Sequence, residues 1–474
     1  MATRTVSAGG LDLTRDEEDL GPGARFILRT SHISPGYARA GSQVNGGAKG
    51  KCKVFWHLME LTIWYISKYA SPPGSGGGQR GISLAQNFVA LGHRAMVISS
   101  HSNHQAVIVP KDWKSWGRGF DAARFRGVTM LLHRTSSYRK TVSVARAISW
   151  LSFEWGLLRL PLKRLPAPTH IIVSSLSLFS ILNGYRLAQK TRSHLIFEIR
   201  DIWPLTLEEE LNLRPSNLFV RVLRKIERFG YGKSAVVVGT MPNLVEHVHE
   251  VCSAGVRVET IGLGIDGDLE KLSSEYSPPP FTRNLIVGYA GSIGRTNSLE
   301  IFLETARNIG PLNGIEFELW GSGDLLEKFK RRYAGEAHIR FHGRLSREEL
   351  HVEVTKGHVF FLAANDSRRW RAGQSLNKLV EYMALGRPVI AAYSGYRSMI
   401  DEAECGVFVP FADANALETA LLKFRDLPRA DLEKMGMKGR KWILAHRNYR
   451  TLAEDYLAIL DSLTEFAEVT GPGS

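Results

Sequence analysis

Asn377, Lys378 and Glu381 place an amide, a cation and a carboxylate three and four residues apart, so on a helix all three face one ligand. The ammonium would meet diphosphate oxygens and the carboxylate would take ribose hydroxyls. An ordinary helix with a solvated i,i+3 Lys–Glu pair has the same spacing, so both readings stay open. A second group, Glu198, Arg200 and Asp201, is followed by Trp203. It reads either as a substrate-side cluster or as a buried ion pair covered by the indole. Glycines gather in Gly76, Gly77 and Gly78, in Gly291 and Gly294 before Arg295, in Gly321 before Asp324, and in Gly343 before Arg344. Such loops let a backbone approach phosphate or sugar, although a flexible turn looks the same. His101 and His104 are possible proton carriers, with solvated surface imidazoles as the alternative. Asp266 and Asp268 form an Asp-x-Asp pair that suits a metal, but their loop before a proline run reads as a turn, and no metal is expected.

The groups fall where strands give way to helices. Residues 358–364 are a nearly continuous apolar run, as in a strand buried on both faces of a parallel sheet. Ser375 is then expected as an N-cap and residues 376–385 as a helix, with Gly386 at C′ and Pro388 as a stop before a strand at 389–392. The free N–H groups of that helix's first turn attract phosphate. The same unit recurs from residue 61, with a strand at 61–67, the glycine loop, a helix at 82–91 and a strand at 94–99. Strands at 170–174, 194–199, 235–239 and 256–261 and a helix at 178–190 complete the first half, and Pro278, Pro279 and Pro280 mark a linker. The second half has strands at 285–290, 316–320 and 339–341, a helix near 298–309, and closing helices at 414–424 and 452–466. The expectation is an α/β chain of two doubly wound domains, 59–275 and 282–450, facing a cleft, with a closing helix and tail over 451–474. Residues 1–58 lack a sustained period and read as a disordered extension, with Met59 as the natural start.

The chain has 474 residues, 44% hydrophobic and 23% charged, which fits a globular protein. Cys52, Cys252 and Cys405 give neither a disulfide framework nor a zinc spacing, and a reducing cytoplasm is the simplest home. No run of about 18 apolar residues predicts a membrane span, and the start lacks a signal-peptide pattern. Net charge is +14, and residues 80–170 hold 14 Lys/Arg against three acids, +11 locally. In that stretch Val144, Ile148, Leu151, Trp155, Leu158, Leu162 and Leu165 repeat at 3,4 spacing beside Arg146, Arg159, Lys163 and Arg164. A core-facing helix and a membrane-interface helix both carry such a pattern, and the charge tilts the reading toward a membrane surface. Neither half opens with the dinucleotide fingerprint, there is no Gly-x-Ser-x-Gly elbow, and no nucleic-acid module appears.

The runs IWYISKYASPPGSGGGQR, EIRDIWP, VGYAGSIGR, FELWGSGD and SLNKLVEYMALGRPVIA, in this order, resemble GT-B glycosyltransferases of family 4. The likeness is to the bacterial O-antigen and capsule branch that handles sugars such as N-acetyl-fucosamine, over roughly residues 59–466. It implies a GT-B fold of two Rossmann-like domains. It also implies retaining transfer of a hexose from a nucleotide diphosphate sugar, UDP-linked, to a polyprenyl-diphosphate-linked or saccharide acceptor, with no metal needed. By the same resemblance Glu381 holds the ribose as the second carboxylate of a Glu-x7-Glu motif, whose first place is taken by Gly373. Arg295 and Lys378 neutralise diphosphate. Gly76, Gly77, Gly78, Gly291, Gly294, Gly321, Arg344, Ser375, Leu376 and Asn377 line the donor, while Glu198, Arg200, Asp201 and His101 shape the acceptor side. The expected setting is the inner face of the cytoplasmic membrane, held peripherally through the basic N-terminal domain, without nucleic acid. The alternatives are a GT-B sugar-nucleotide epimerase and a catalytically degenerate sugar-nucleotide-binding protein.

Overall fold

The computed structural model describes residues 5–8, 11–14, 27–28, 60–73, 78–102, 114–138, 143–265, 267, 284–345 and 347–469. Residues 1–58 form a unit of their own. In it β1 (Thr5–Ala8) pairs antiparallel with β2 (Leu11–Thr14), which pairs with β3 (Ile27–Leu28). The rest of the expected extension lies outside the described residues.

Residues 59–474 are a second compact unit built as two lobes. The first lobe contains β4 (Thr62–Ile66), β5 (Arg94–Ser100), β6 (Lys114–Gly117), β7 (Phe120–Phe125), β8 (Val128–His133), β9 (His170–Ser174), β10 (His194–Ile199), β11 (Val236–Gly239) and β12 (Val258–Thr260). Their order is β12-β11-β10-β9-β4-β5-β8-β7-β6. From β12 to β8 the pairing is parallel, and β7 and β6 close the edge antiparallel. The second lobe contains β13 (Leu285–Ala290), β14 (Ile315–Trp320), β15 (Ile339–Gly343), β16 (Val359–Ala363), β17 (Val389–Ala392) and β18 (Gly406–Val409). All six run parallel in the order β15-β14-β13-β16-β17-β18. Both sheets are doubly wound, with strand order reversing between β4 and β9 and between β13 and β16. Ligands bind in such sheets beyond the carboxyl ends at that reversal.

Apolar runs make these strands because both faces are covered. All five residues of β16 are buried, as the unalternating sequence requires. One face of the first sheet packs under helices Val144–Leu158, Ser180–Thr191 and Leu218–Lys233. The other lies under Arg80–Ala90 and, unexpectedly, under the closing helix Tyr449–Val469, whose Leu452, Tyr456 and Leu460 join the first lobe's core. Phe88 and Tyr456 meet edge to face at 5.9 Å. The chain thus crosses back to its first lobe, so the closing helix is a layer of that lobe.

Candidate active site

At the reversal point of the second sheet, the loop after β13 faces the helix after β16, Asn377–Ala384. Lys378 Nζ donates to Tyr289 Oη at 3.1 Å and to Asn297 Oδ1, and lies 4.9 Å from the centre of the Tyr289 ring. Burial pushes this ammonium down to about 8, against the opposing pull of Glu381. Gly291 sits directly over it, since a Cβ there would come 3.6 Å from Nζ. Asn377 and Glu381 are exposed on the same helix, beside the cation. Arg295 stands at the rim, exposed and 3.6 Å from Asp324. Arg344 is exposed after β15, two strands from the reversal point. The structure therefore brings Gly291, Arg295, Lys378, Asn377 and Glu381 around one corner and leaves Arg344 peripheral.

Two glycines there serve packing. At φ +143°, a Cβ on Gly321 would fall 1.8 Å from the Gly291 carbonyl oxygen, so the loops after β13 and β14 close on each other only without it. A Cβ on Gly294 would likewise fall 2.9 Å from Asp324 Oδ1. These glycines build the loop pair that carries Arg295.

The N-cap expectation fails at Ser375. The helix begins at Asn377 with Leu376 at the cap position and no side-chain cap bond. Ser375 Oγ instead donates to Thr240 Oγ1 of the first lobe at 2.7 Å. Gly386 does take the left-handed C′ conformation, φ +67°. Gly373 has φ +99°, and a Cβ there would meet Pro242 Cγ at 2.5 Å. Asn243 N donates to Ala372 O at 2.8 Å, and Glu209 accepts from Ser367 Oγ and from Arg368 N. The stretch before the helix is thus the seam between the lobes, and position 373 has no room for a side chain beside Pro242. A cavity of about 480 Å³ also opens at this seam, with Arg224, Arg228, Arg371 and Glu250 in its lining and none of the predicted site residues.

In the first lobe, Glu198 is not open to an acceptor. Its carboxylate is fully buried, accepting from Tyr65 Oη at 2.5 Å and Arg80 Nε at 3.1 Å. Arg80 also donates to the Ile261 and Gly262 carbonyls at 2.8 and 2.6 Å. Glu198 is thus in a buried ion pair, but with Arg80 and not with the neighbouring Arg200 under Trp203, and the pair fixes the strand end to the segment leading out of the lobe. Asp201 Oδ1 accepts from Thr206 Oγ1 at 2.6 Å, and burial pushes its carboxyl up. Arg200 comes near Gly78, where a Cβ would sit 4.0 Å from Nη1. Gly76 and Gly77 lie outside the described residues, as do His104, Asp266 and Asp268. His101 is buried, with Nε2 2.8 Å from Asp121 Oδ2, and Arg134 holds Asp121 from the other side. Burial pulls its imidazole down despite that carboxylate. It is an oriented imidazole at the end of β5 and not a solvated one.

Sequence reasoning missed Lys68. It follows β4 at the first sheet's own reversal point and is buried, donating to Ser100 Oγ, Ser102 O and Ser149 Oγ at 3.3, 2.9 and 3.0 Å. Burial brings it down to about 7. A lysine directly after an apolar strand was the available signal.

Among the described residues no group of three His, Cys, Asp or Glu could hold a metal, and no helix is long and apolar enough to cross a membrane. Two doubly wound lobes meeting at these loops define the GT-B architecture. Sucrose-phosphate synthase from Thermosynechococcus elongatus is similar with TM-score 0.64 and 16% identity, over 86% of this chain and 100% of that one. The catalytic domain of starch synthase IV from Arabidopsis thaliana, bound to ADP and acarbose, gives 0.64 at 12%, over 86% and 100%. Anabaena HepE in complex with UDP and glucose gives 0.55 at 12%, over 85% and 100%. No curated protein matches the chain. Residues 284–426, which hold β13 through β18, match the family described as glycosyl transferases group 1. The match to the group 1 glycosyl transferases thus lies in the second lobe, and the protein is a transferase.

Proposed function

We propose that the protein is a retaining hexosyltransferase that moves a sugar from a UDP-linked donor to a lipid-linked or saccharide acceptor during surface polysaccharide synthesis. The observation that carries this is Lys378, held at a helix start against the Gly291 loop, with the exposed Glu381 one turn further on. Breaking the sugar–phosphate bond builds positive charge on the sugar and negative charge on the leaving diphosphate. Lys378, Arg295 and the free N–H groups of the helix's first turn stabilise the latter without reorganising. Glu381 takes the ribose hydroxyls. The acceptor hydroxyl attacks from the leaving group's own face and gives its proton to the departing phosphate, so configuration is kept. HepE's complex with UDP and glucose supports the uridine donor. Peripheral contact with an anionic membrane, through the exposed face of Val144–Leu158, would present a lipid-linked acceptor.

The test is a screen of sugar nucleotides for thermal stabilisation and for product on lipid-linked acceptors. Glu381→Ala and Arg295→Ala should each abolish most transfer while the folded circular dichroism spectrum is unchanged; near-normal turnover in both would defeat the site. The glycine in place of the first motif carboxylate favours, as the second reading, a sugar-nucleotide-binding protein without transfer. Tight donor binding with no product on any acceptor would establish it. Interconversion of free sugar nucleotides would mark an epimerase instead.

A further inference from the structure

Three neighbouring helices cover one face of the first sheet, in the order Val144–Leu158, Ser180–Thr191, Leu218–Lys233. They share one core through Phe153, Leu157, Ile181, Leu187, Leu223 and Ile226, and Tyr185 meets Phe229 at 5.2 Å between the second and third. Because helices follow parallel strands, all three start along the sheet's carboxyl edge, where the substrate loops lie.

The first helix shows its apolar repeat to solvent. Val144, Ile148, Leu151, Trp155 and Leu158 are all exposed, from 46% at Leu158 to 77% at Val144. Its inner face is held by polar bonds, Ser149 to Lys68 and Glu154 to Ser180 and Asn183. The third helix repeats the feature in its first two turns, with Leu218 at 76%, Phe219 at 44% and Val222 at 42% exposure. Leu182, in the first turn of the middle helix, is exposed between them. Basic side chains surround this second patch. Arg221 and Lys225 are exposed on the helix beside Arg224, which is paired with Glu208, and Arg228, which donates to the Val251 carbonyl, and the helix's one acid, Glu227, is buried beside Tyr231 and His247.

We propose that the first two turns of Leu218–Lys233 are a second membrane contact that, together with Val144–Leu158, seats the first lobe on an anionic lipid surface with the sheet's carboxyl edge toward the bilayer. The proposal rests on the membrane contact suggested above for the first helix and adds an orientation to it. One interfacial helix fixes a line of contact and leaves the lobe free to roll about it. Two apolar edges one helix apart, about 20 Å at ordinary helix spacing, define a plane and stop the roll. Charge selects the occupant, because arginines and lysines beside solvent-facing leucines suit acidic headgroups over acyl chains. A second copy of the chain would set like charge against like.

The test is cosedimentation of the full chain with phosphatidylcholine vesicles, with and without phosphatidylglycerol, alongside its sedimentation coefficient in solution. Wild type should bind only the anionic vesicles. Leu218→Ser with Phe219→Ser and Val222→Ser should weaken that binding roughly tenfold or more, with an unchanged circular dichroism spectrum. Arg221→Glu with Lys225→Glu, which leaves the apolar core untouched, should weaken it and flatten its salt dependence. If the serine variant binds as wild type while Ile148→Ser with Leu151→Ser and Trp155→Ser does not, the second contact is wrong and the single-helix reading stands. If neither serine variant loses binding, the membrane reading itself fails. A concentration-dependent dimer that the Leu218, Phe219 and Val222 substitutions dissolve would overturn the proposal in favour of a contact between copies.

Discussion

Burial among Tyr289, Asn297 and Gly291 does two things to Lys378. It aims the ammonium at the corner where a diphosphate would lie, and it lowers the group from its ordinary value of 10.5 to about 8. Since the folded value is the lower one, the unfolded chain binds more protons between those values. The burial cost is therefore fully present below about 8 and relieved as pH rises toward 10.5. Activity goes the other way. The free enzyme should lose kcat/KM above about pH 8, approaching tenfold per pH unit, and Lys378→Arg, charged throughout, should remove that limb. An unchanged limb in the arginine variant would deny Lys378 the role. Glu198 obeys a different rule. With Arg80 and Tyr65 as its partners, Glu198→Gln leaves a buried guanidinium without its counter-charge. It should destabilise by about 3–5 kcal/mol in urea unfolding, and a loss of activity with unchanged stability would return Glu198 to the acceptor side. The sequence placed Glu198 at a strand's carboxyl end and Glu381 on the helix after another strand, but could not say which carboxylate was spent on folding, because Tyr65 and Arg80 reach Glu198 from more than 100 residues away.

Most parallel strands were legible because burial on both faces erases alternation and leaves a bare apolar run, as in β16. The hairpin β6–β7 and its partner β8 were not anticipated. Lys114–Gly117 is short and polar, and β8 joins the sheet through β5, a pairing with no local signal. The helix at Asn377 was placed to within one residue, yet its entry was misjudged, since Ser375 finds Thr240 across the seam where an N-cap would have found its own helix. Gly373 is the sharpest case at this scale. Its left-handed backbone and its contact with Pro242 make Gly373→Ala cost about 1–3 kcal/mol, read as a drop in thermal midpoint. Gly373→Glu, which restores the motif's usual carboxylate, should lose more stability and gain no activity. Pro242→Ala should recover part of the Gly373→Ala loss by removing the ring carbons that crowd it. Full additivity of the two substitutions would show that the seam contact is not what excludes a side chain there.

Across the whole molecule the two lobes are coupled in two places. One is the seam built from Ser367 through Ser375 against Glu209, Thr240 and Pro242. The other is the closing helix Tyr449–Val469, which returns from the second lobe to cover the first lobe's sheet. Segmentation along the sequence set residues 451–474 apart as a closing helix and tail because contiguity is all a sequence displays, and the helix's apolar positions could have met either lobe. The placement has a consequence that separates the two assignments. Leu452, Tyr456, Leu457, Leu460 and Leu463 are buried in the first lobe's core, and at about 1.5–3 kcal/mol each their loss would total roughly 8–15 kcal/mol, the size of a typical domain's entire stability. Ending the chain after Asn448 should therefore cost the first lobe its fold, seen as insolubility or strong binding of a hydrophobic dye, even though every predicted site residue is retained. A milder variant, Tyr456→Ala, should stay folded but lose about 3–5 kcal/mol. A soluble truncated chain with an undiminished unfolding midpoint would mean that the first lobe stands without this layer, and that the helix belongs to the second lobe after all.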